Sequence, residues 1–185
     1  NTTTIAALDR IVGTASTEIV TFSGNNTTTA SLIDSLIGTS ASEAVTFSGN
    51  TTTTTGGIDT LVGTASTDII TLTGANTVTV SLLDSIFGGA TADIVTFTAN
   101  NTTQVNSIET LVGSASAERV TLSAGGSVTV AGIDSLIGTA SNDVVTFSGA
   151  QTVTASLLDS MIGSASAELV TFSGDTTTTA ANIDT

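Results

Sequence analysis

The chain is built from a 25-residue block that repeats without a single insertion or deletion. An acidic residue keeps this step at eight positions: Asp9, Asp34, Asp59, Asp84, Glu109, Asp134, Asp159 and Asp184. A glycine keeps it at Gly13, Gly38, Gly63, Gly88, Gly113, Gly138 and Gly163. Loops of ordinary domains vary in length because surface insertions cost little. A period without slippage therefore predicts a stack of equivalent coils, each of which contacts only its neighbours.

Each repeat contains three short apolar stretches, and we expect all three to be strands. In the repeat that begins at Ile133, Val145 and Phe147 alternate with Thr146 and Ser148, which is the period of a half-buried strand. The stretch 152–154 predicts a second strand. The stretch 133–137 predicts a third strand rather than a short helix, because so short a segment is not stable as a helix on its own.

These patterns predict an all-β fold, a parallel β-solenoid with a 25-residue coil, about seven coils, and two to three short strands in each coil. Residues 1–185 then form one repeat array that ends in a partial coil, and neither end carries an evident polar cap. Because rungs stack at about 4.8 Å, residues at equivalent repeat positions, such as Phe22, Phe47 and Leu72, are expected to form one column. The absence of Pro leaves every backbone N–H able to bond to the next rung.

The composition excludes most chemistry. The chain has no His, Cys or Lys, so a His-containing triad, a Cys or Lys nucleophile and a Cys/His metal site are all ruled out. A net charge of −14 disfavours nucleic acid as a partner. No apolar run approaches the roughly 18–20 residues of a transmembrane segment. We therefore predict that the protein is not an enzyme and assign no catalytic or cofactor-binding residue.

A second acidic residue also recurs once in every repeat, and these acids are the candidate metal ligands: Glu18, Glu43, Asp68, Asp93, Glu118, Asp143 and Glu168. In a 25-residue coil they would stack about 4.8 Å apart and repel by about 0.9 kcal/mol in water, or about 3.5 kcal/mol at an effective dielectric of 20. Bound cations or raised pKa values would relieve that repulsion. Full solvation of the acids, which would keep the rod soluble, is the alternative.

One segment resembles a known calcium-binding repeat. Gly138, Asp143 and Val145 match the first glycine, the liganding aspartate and the buried apolar position of the nonapeptide repeat of RTX (haemolysin-type) proteins, with Thr139 and Ser141 in place of two glycines. Every repeat has a related segment, and similar stretches occur in large bacterial surface adhesins. The resemblance implies that the seven acids bind Ca²⁺. It also implies that the chain acts as a calcium-dependent adhesion module.

Threonine supplies another candidate surface. The motif Thr-x-Thr places pairs at Thr27, Thr29, Thr52, Thr54, Thr77, Thr79, Thr152, Thr154, Thr177 and Thr179. Such an array on a β-solenoid is similar to the ice-binding faces of some antifreeze proteins. The simpler interpretation is that Thr suits an exposed strand face.

The function that we expect from these features is structural. A stiff rod without Lys, with only two Arg and rich in Thr, Ser and Gly suits a secreted or surface-attached bacterial fibre, sheath or adhesin stalk. Uncapped ends would let the rod assemble with itself, head to tail or laterally, or continue into a longer repeat array. Ice binding and calcium-dependent adhesion are the alternative functions.

Overall fold

The computed structural model describes residues 1–14, 16–39, 41–174 and 177–183, and every regular element in this part of the chain is a strand. The strands are β1 (Thr2–Ile5), β2 (Arg10–Val12), β3 (Ile19–Phe22), β4 (Asn26–Ser31), β5 (Ser35–Ile37), β6 (Glu43–Phe47), β7 (Thr51–Gly56), β8 (Thr60–Val62), β9 (Asp68–Leu72), β10 (Asn76–Ser81), β11 (Ser85–Phe87), β12 (Asp93–Phe97), β13 (Asn101–Asn106), β14 (Thr110–Val112), β15 (Glu118–Leu122), β16 (Gly126–Ala131), β17 (Ser135–Ile137), β18 (Asp143–Phe147), β19 (Gln151–Ser156), β20 (Ser160–Ile162), β21 (Glu168–Phe172) and β22 (Thr179–Ala181).

The strands form two parallel sheets of 11 strands each. The odd-numbered strands make one sheet, here called sheet A, and the even-numbered strands make the other, sheet B. The chain therefore crosses from one sheet to the other after every strand and climbs one layer with every second strand. This is a parallel β-solenoid of about ten turns, which confirms the predicted fold class. The preference for a strand at 133–137 is also confirmed, because β17 lies there.

The predicted 25-residue coil is wrong. Each repeat supplies three strands whereas each coil uses two, so one repeat spans one and a half coils. In sheet A, Thr3 pairs with Val20, Val20 with Leu36 and Leu36 with Thr55. The predicted number of about seven coils is wrong for the same reason. Short turns reverse the chain after every strand, so the third strand of a repeat begins the next layer instead of closing a three-sided coil.

The expected columns of identical residues are wrong as well. Phe22 lies on β3 in sheet A, whereas Phe47 lies on β6 in sheet B. In the parallel pairing each aromatic ring has a smaller neighbour, and Phe47 is paired with Ala30. Large and small side chains therefore alternate between layers, which fills the narrow space between the sheets without overpacking.

The predicted core positions are nevertheless buried. Phe22, Phe47, Phe97 and Phe147 are at most 2% exposed, and burial of each ring contributes about 1.5–3 kcal/mol to folding. Phe172 differs, with 48% of its surface exposed, because it lies on the last strand of sheet A. The sheets thus enclose one continuous apolar core along the axis.

One turn of each repeat contains a residue in the left-handed region. These residues have φ between 53° and 67°: Ala7, Leu32, Gly57, Leu82, Ser107, Gly132, Leu157 and Asn182. The periodic glycine of a neighbouring coil packs against this turn. An ideal Cβ on Gly63 would lie 2.0 Å from the carbonyl oxygen of Leu82. The glycine column is therefore required by close contact between backbones and not by turn flexibility.

Candidate functional site

Acidic side chains meet in pairs where the chain passes between the sheets. In each pair, which we call an acid corner, a buried acid lies beside an exposed acid sixteen residues further along the chain. The corners are Glu18 with Asp34, Glu43 with Asp59, Asp68 with Asp84, Asp93 with Glu109, Glu118 with Asp134, and Asp143 with Asp159. Asp184, which would complete a seventh corner with Glu168, lies outside the described residues.

The exposed acid of each corner accepts a hydrogen bond from the backbone of the buried acid. The amide of Asp68 donates to Asp84 Oδ2 at 2.8 Å, and the amide of Glu18 donates to Asp34 Oδ2 at 2.9 Å. This bond links two successive layers at a place where the sheet hydrogen bonding is interrupted by a turn. The first acidic column of the sequence therefore has a structural role.

The buried acid holds the turn that precedes it. Asp68 Oδ2 accepts a hydrogen bond from the amide of Thr64 at 2.8 Å. Glu43 Oε1 accepts bonds from both the amide and the hydroxyl of Thr39, at 3.1 and 2.7 Å. One oxygen of the carboxyl thus closes a loop of four residues, as a capping side chain does.

The other oxygen of most buried acids has no hydrogen-bond partner. These buried, unpaired oxygens are Glu18 Oε2, Glu43 Oε2, Asp68 Oδ1, Glu118 Oε2, Asp143 Oδ1 and Glu168 Oε2. Asp93 is the exception, because its Oδ1 accepts bonds at 3.0 Å from both the amide and the side-chain nitrogen of Asn76. At the corresponding place beside Asp68 stands Thr51, whose hydroxyl donates to the carbonyl of Gly49 at 3.1 Å instead. An unpaired buried acceptor is costly, and more so when it is charged.

Burial raises the pKa of Asp68 above the ordinary value of an aspartate, and the nearby charge of Asp84 adds to the effect. The Thr64 amide, together with the nearby hydroxyls of Thr51 and Thr64, favours the charged form and lowers the pKa, but only partly offsets this rise. Asp68 is fully buried, so water does not solvate its unpaired oxygen. Asp68 in its acid corner therefore binds a proton more tightly than an aspartate in water does.

The predicted stacking of like acids on successive rungs is wrong. Glu43 begins β6 in sheet B and Asp68 begins β9 in sheet A, so acids of successive repeats lie at opposite edges of the solenoid. Within the described residues no group of three or more acidic, His or Cys side chains lies close enough to hold a metal ion. Calcium requires about six to eight oxygen ligands, and an acid corner brings together two carboxylates. Calcium binding by the seven acids stays a prediction.

The Thr-x-Thr pairs do not form a continuous array. Thr27 and Thr29 lie on β4 in sheet B, and Thr52 and Thr54 lie on β7 in sheet A. Successive pairs therefore lie on opposite faces of the solenoid, and two other strands separate the pairs within one sheet. Thr177 precedes β22, which contains Thr179.

A different set of threonines forms a row that the sequence analysis missed. It lies on the outer face of sheet B in three short runs, and its members are Thr29 and Thr46, then Thr60, Thr79 and Thr96, then Thr110, Thr129 and Thr146. A shift of two residues separates successive runs, because Thr46 pairs with Val62 and Thr96 pairs with Val112. The corresponding positions of sheet A from β5 onward are Ser35, Thr54, Thr71, Ser85, Gln104, Thr121, Ser135, Thr154 and Thr171. The sequence signal is the alternation of Ser and Thr at 35, 60, 85, 110 and 135.

Two shallow grooves lie at equivalent positions of the solenoid, two repeats apart. One, of about 280 Å³, is lined in part by Thr14, Leu32 and Asp34, and another, of about 170 Å³, by Thr64, Leu82 and Asp84. The described lining residues of each groove include one carboxylate and no other ionisable side chain.

The chain matches no protein-family model, no curated protein and no solved structure. In the part of the chain that the structure describes, no helix is long and apolar enough to span a membrane.

Proposed function

We propose that the protein is a structural rod that forms or belongs to an extracellular bacterial fibre, sheath or adhesin stalk. The observation that carries this proposal is the continuity of the two sheets, in which parallel pairing runs from β1 to β21 and from β2 to β22. The ten steps of each sheet extend for about 48 Å at 4.8 Å per layer. The acid corners add side-chain bonds between layers at the edges. Uniform bonding along one axis suits a load-bearing element more than a localised binding site.

The proposal includes growth of the rod along its axis. Phe172 is 48% exposed, whereas Phe147, one repeat earlier, is 2% exposed. Another coil stacked on the last layer would cover the ring and pair the free backbone groups of β21. That coil belongs either to a longer array or to a second copy, and both produce an extended fibre.

Electron microscopy of the purified protein tests this role. We expect filaments whose length exceeds one array and whose width stays constant, because end-on stacking adds layers without broadening the solenoid. The expected control is Phe172→Lys, which places a charge in the stacking layer and should shorten or abolish the filaments. Short particles of uniform length for the unsubstituted protein, at every concentration, would contradict the assembly of this chain into a fibre.

The threonine row favours ice binding as a second candidate function. Within each run of two or three strands, threonine hydroxyl and methyl groups recur at the spacing of the layers and face water. If this face binds ice, Thr96→Lys in sheet B should remove thermal hysteresis, whereas Thr121→Lys, at the same repeat position in sheet A, should leave it intact. Absence of thermal hysteresis in the folded, unsubstituted protein would eliminate this candidate.

A further inference from the structure

The outer face of sheet B, beyond its first strand, is distinct from the rest of the surface in its charge. None of the outward-facing residues that the structure describes on β4 to β20 of this sheet is charged. The described acids lie at the corners, where they are either buried or exposed at the edges. Sheet A, in contrast, exposes Arg119 on β15 in the middle of its outer face. Sheet B exposes Arg10 on its first strand, β2, beside Thr29. A contact through sheet A would bury the Arg119 guanidinium, whereas a contact confined to β4 to β20 of sheet B buries no charge.

The chemistry of the face suits a dry contact. Threonine methyl groups of the row lie beside aliphatic residues, among them Ile94 and Ile162, which are each 37% exposed. β-Branched side chains on regularly spaced strands interdigitate when two sheets pack face to face, at about 10 Å between the sheets. Hydroxyl groups on both surfaces can pair with each other across the contact.

We propose that the outer face of sheet B binds the same face of a second copy of this chain, so that the rods associate in pairs. The area is sufficient. Nine strands at about 4.8 Å spacing and an average width of about 15 Å give roughly 600 Å² per copy. The total of roughly 1,200 Å² reaches the range of specific interfaces. The distribution of charge favours a second copy as the partner, because face-to-face packing leaves the acids of both copies at the outer edges, in contact with solvent.

The pairing is isologous, with a two-fold axis near the middle of the face at β12. In the antiparallel arrangement β6 of one copy lies opposite β18 of the other, so Thr46 faces the layer of Thr146. This inference rests on the proposed structural role, since rods that associate side by side in pairs can build a thicker fibre. The inference identifies the outer face of sheet B as the surface through which two rods associate.

Lysine substitutions on the two sheets test the pairing. The variant Thr46→Lys with Thr146→Lys alters sheet B, and the variant Thr71→Lys with Thr171→Lys alters the same repeat positions of sheet A. Both variants change the net charge equally. By sedimentation velocity from about 1 to 100 μM, we expect the unsubstituted protein and the sheet A variant to sediment as dimers or as longer assemblies of paired rods. The dissociation constant of the pair should be at least about 100-fold higher in the sheet B variant.

Three outcomes would overturn the proposal: a monomeric unsubstituted protein, equal weakening by both variants, or weakening by the sheet A variant alone. A monomer with thermal hysteresis would assign the face to ice instead. If a lysine pair prevents folding, judged by circular dichroism, the pair Ile94→Asp in sheet B and Ile69→Asp in sheet A gives the same comparison.

Electron microscopy of these samples keeps the two proposals apart. Filaments one solenoid wide in both the unsubstituted protein and the sheet B variant would overturn lateral pairing and leave the structural role intact. Stable dimers that never form filaments would overturn the structural role and leave lateral pairing intact.

Discussion

Replacing Gly113 by Ala should lower the free energy of unfolding by at least about 3 kcal/mol, which is the upper range for an overpacked core and more than most substitutions cost. An ideal Cβ at this position would lie 1.9 Å from the carbonyl oxygen of Gly132, a backbone atom that no side-chain rotation can move. The layers must separate locally to admit the methyl group. Chemical denaturation followed by circular dichroism measures the loss.

Two other glycines provide matched controls. Gly126 has open space around its Cβ position and no positive φ, so Gly126→Ala should change stability by no more than about 0.5 kcal/mol. Gly74 also has open space but a φ of 75°, so Gly74→Ala should cost about 1–2 kcal/mol through backbone strain alone. If Gly113→Ala costs no more than Gly74→Ala, the layers are not in the close contact described above.

The second large effect is expected at Asp68, where Asp68→Asn should stabilise the protein by about 1–3 kcal/mol at pH 8. The amide is neutral, and its oxygen can still accept the bond from the Thr64 amide. Burial raises the pKa of Asp68, so the folded state binds this proton more tightly than the unfolded state does. The contribution of Asp68 to stability is therefore fully present at acid pH, below the ordinary pKa of an aspartate, and is lost as the pH rises through the raised pKa.

Thermal melting between pH 4 and pH 8 measures this dependence. The advantage of Asp68→Asn over the unsubstituted protein should be small at pH 4 and grow towards pH 8. Asp93→Asn is the control, since both oxygens of Asp93 already accept hydrogen bonds and an amide nitrogen would face a donor from Asn76 or Gly89. That variant should lose stability. A loss of stability in both variants would show that the unpaired oxygen of Asp68 carries no cost.

The strict period identified the fold class because it demands equivalent positions along one axis, and the alternation around Phe147 identified strands correctly. Coil length was less accessible. Three strands in each repeat can form one three-sided coil as readily as one and a half two-sided coils. The strand propensity of the residues is the same in both arrangements. The alternation of Ser35, Thr60 and Ser85 does indicate a period of two repeats. Ser and Thr differ by only one methyl group, however, and this difference is hard to distinguish from the other sequence differences between repeats.

The acid corners were predicted only in part. Periodicity located both acidic columns, yet it could not show that Asp68 is buried and Asp84 exposed, since each is a single acid with one polar and one apolar neighbour in the sequence. The pairing of the two depends on a separation of sixteen residues, which follows from the coil and not from the repeat. The different environments of Asp68 and Asp93 depend on Thr51 and Asn76, residues that become neighbours only in the folded chain.

Because one repeat spans one and a half coils, each repeat reverses the side of the molecule on which the following residues lie. Gene duplication that added a single repeat would exchange the two faces for everything downstream and would divide the threonine row between them. Duplication in pairs preserves both faces. We therefore expect natural length variants of this array to differ by even numbers of repeats wherever one face carries the function.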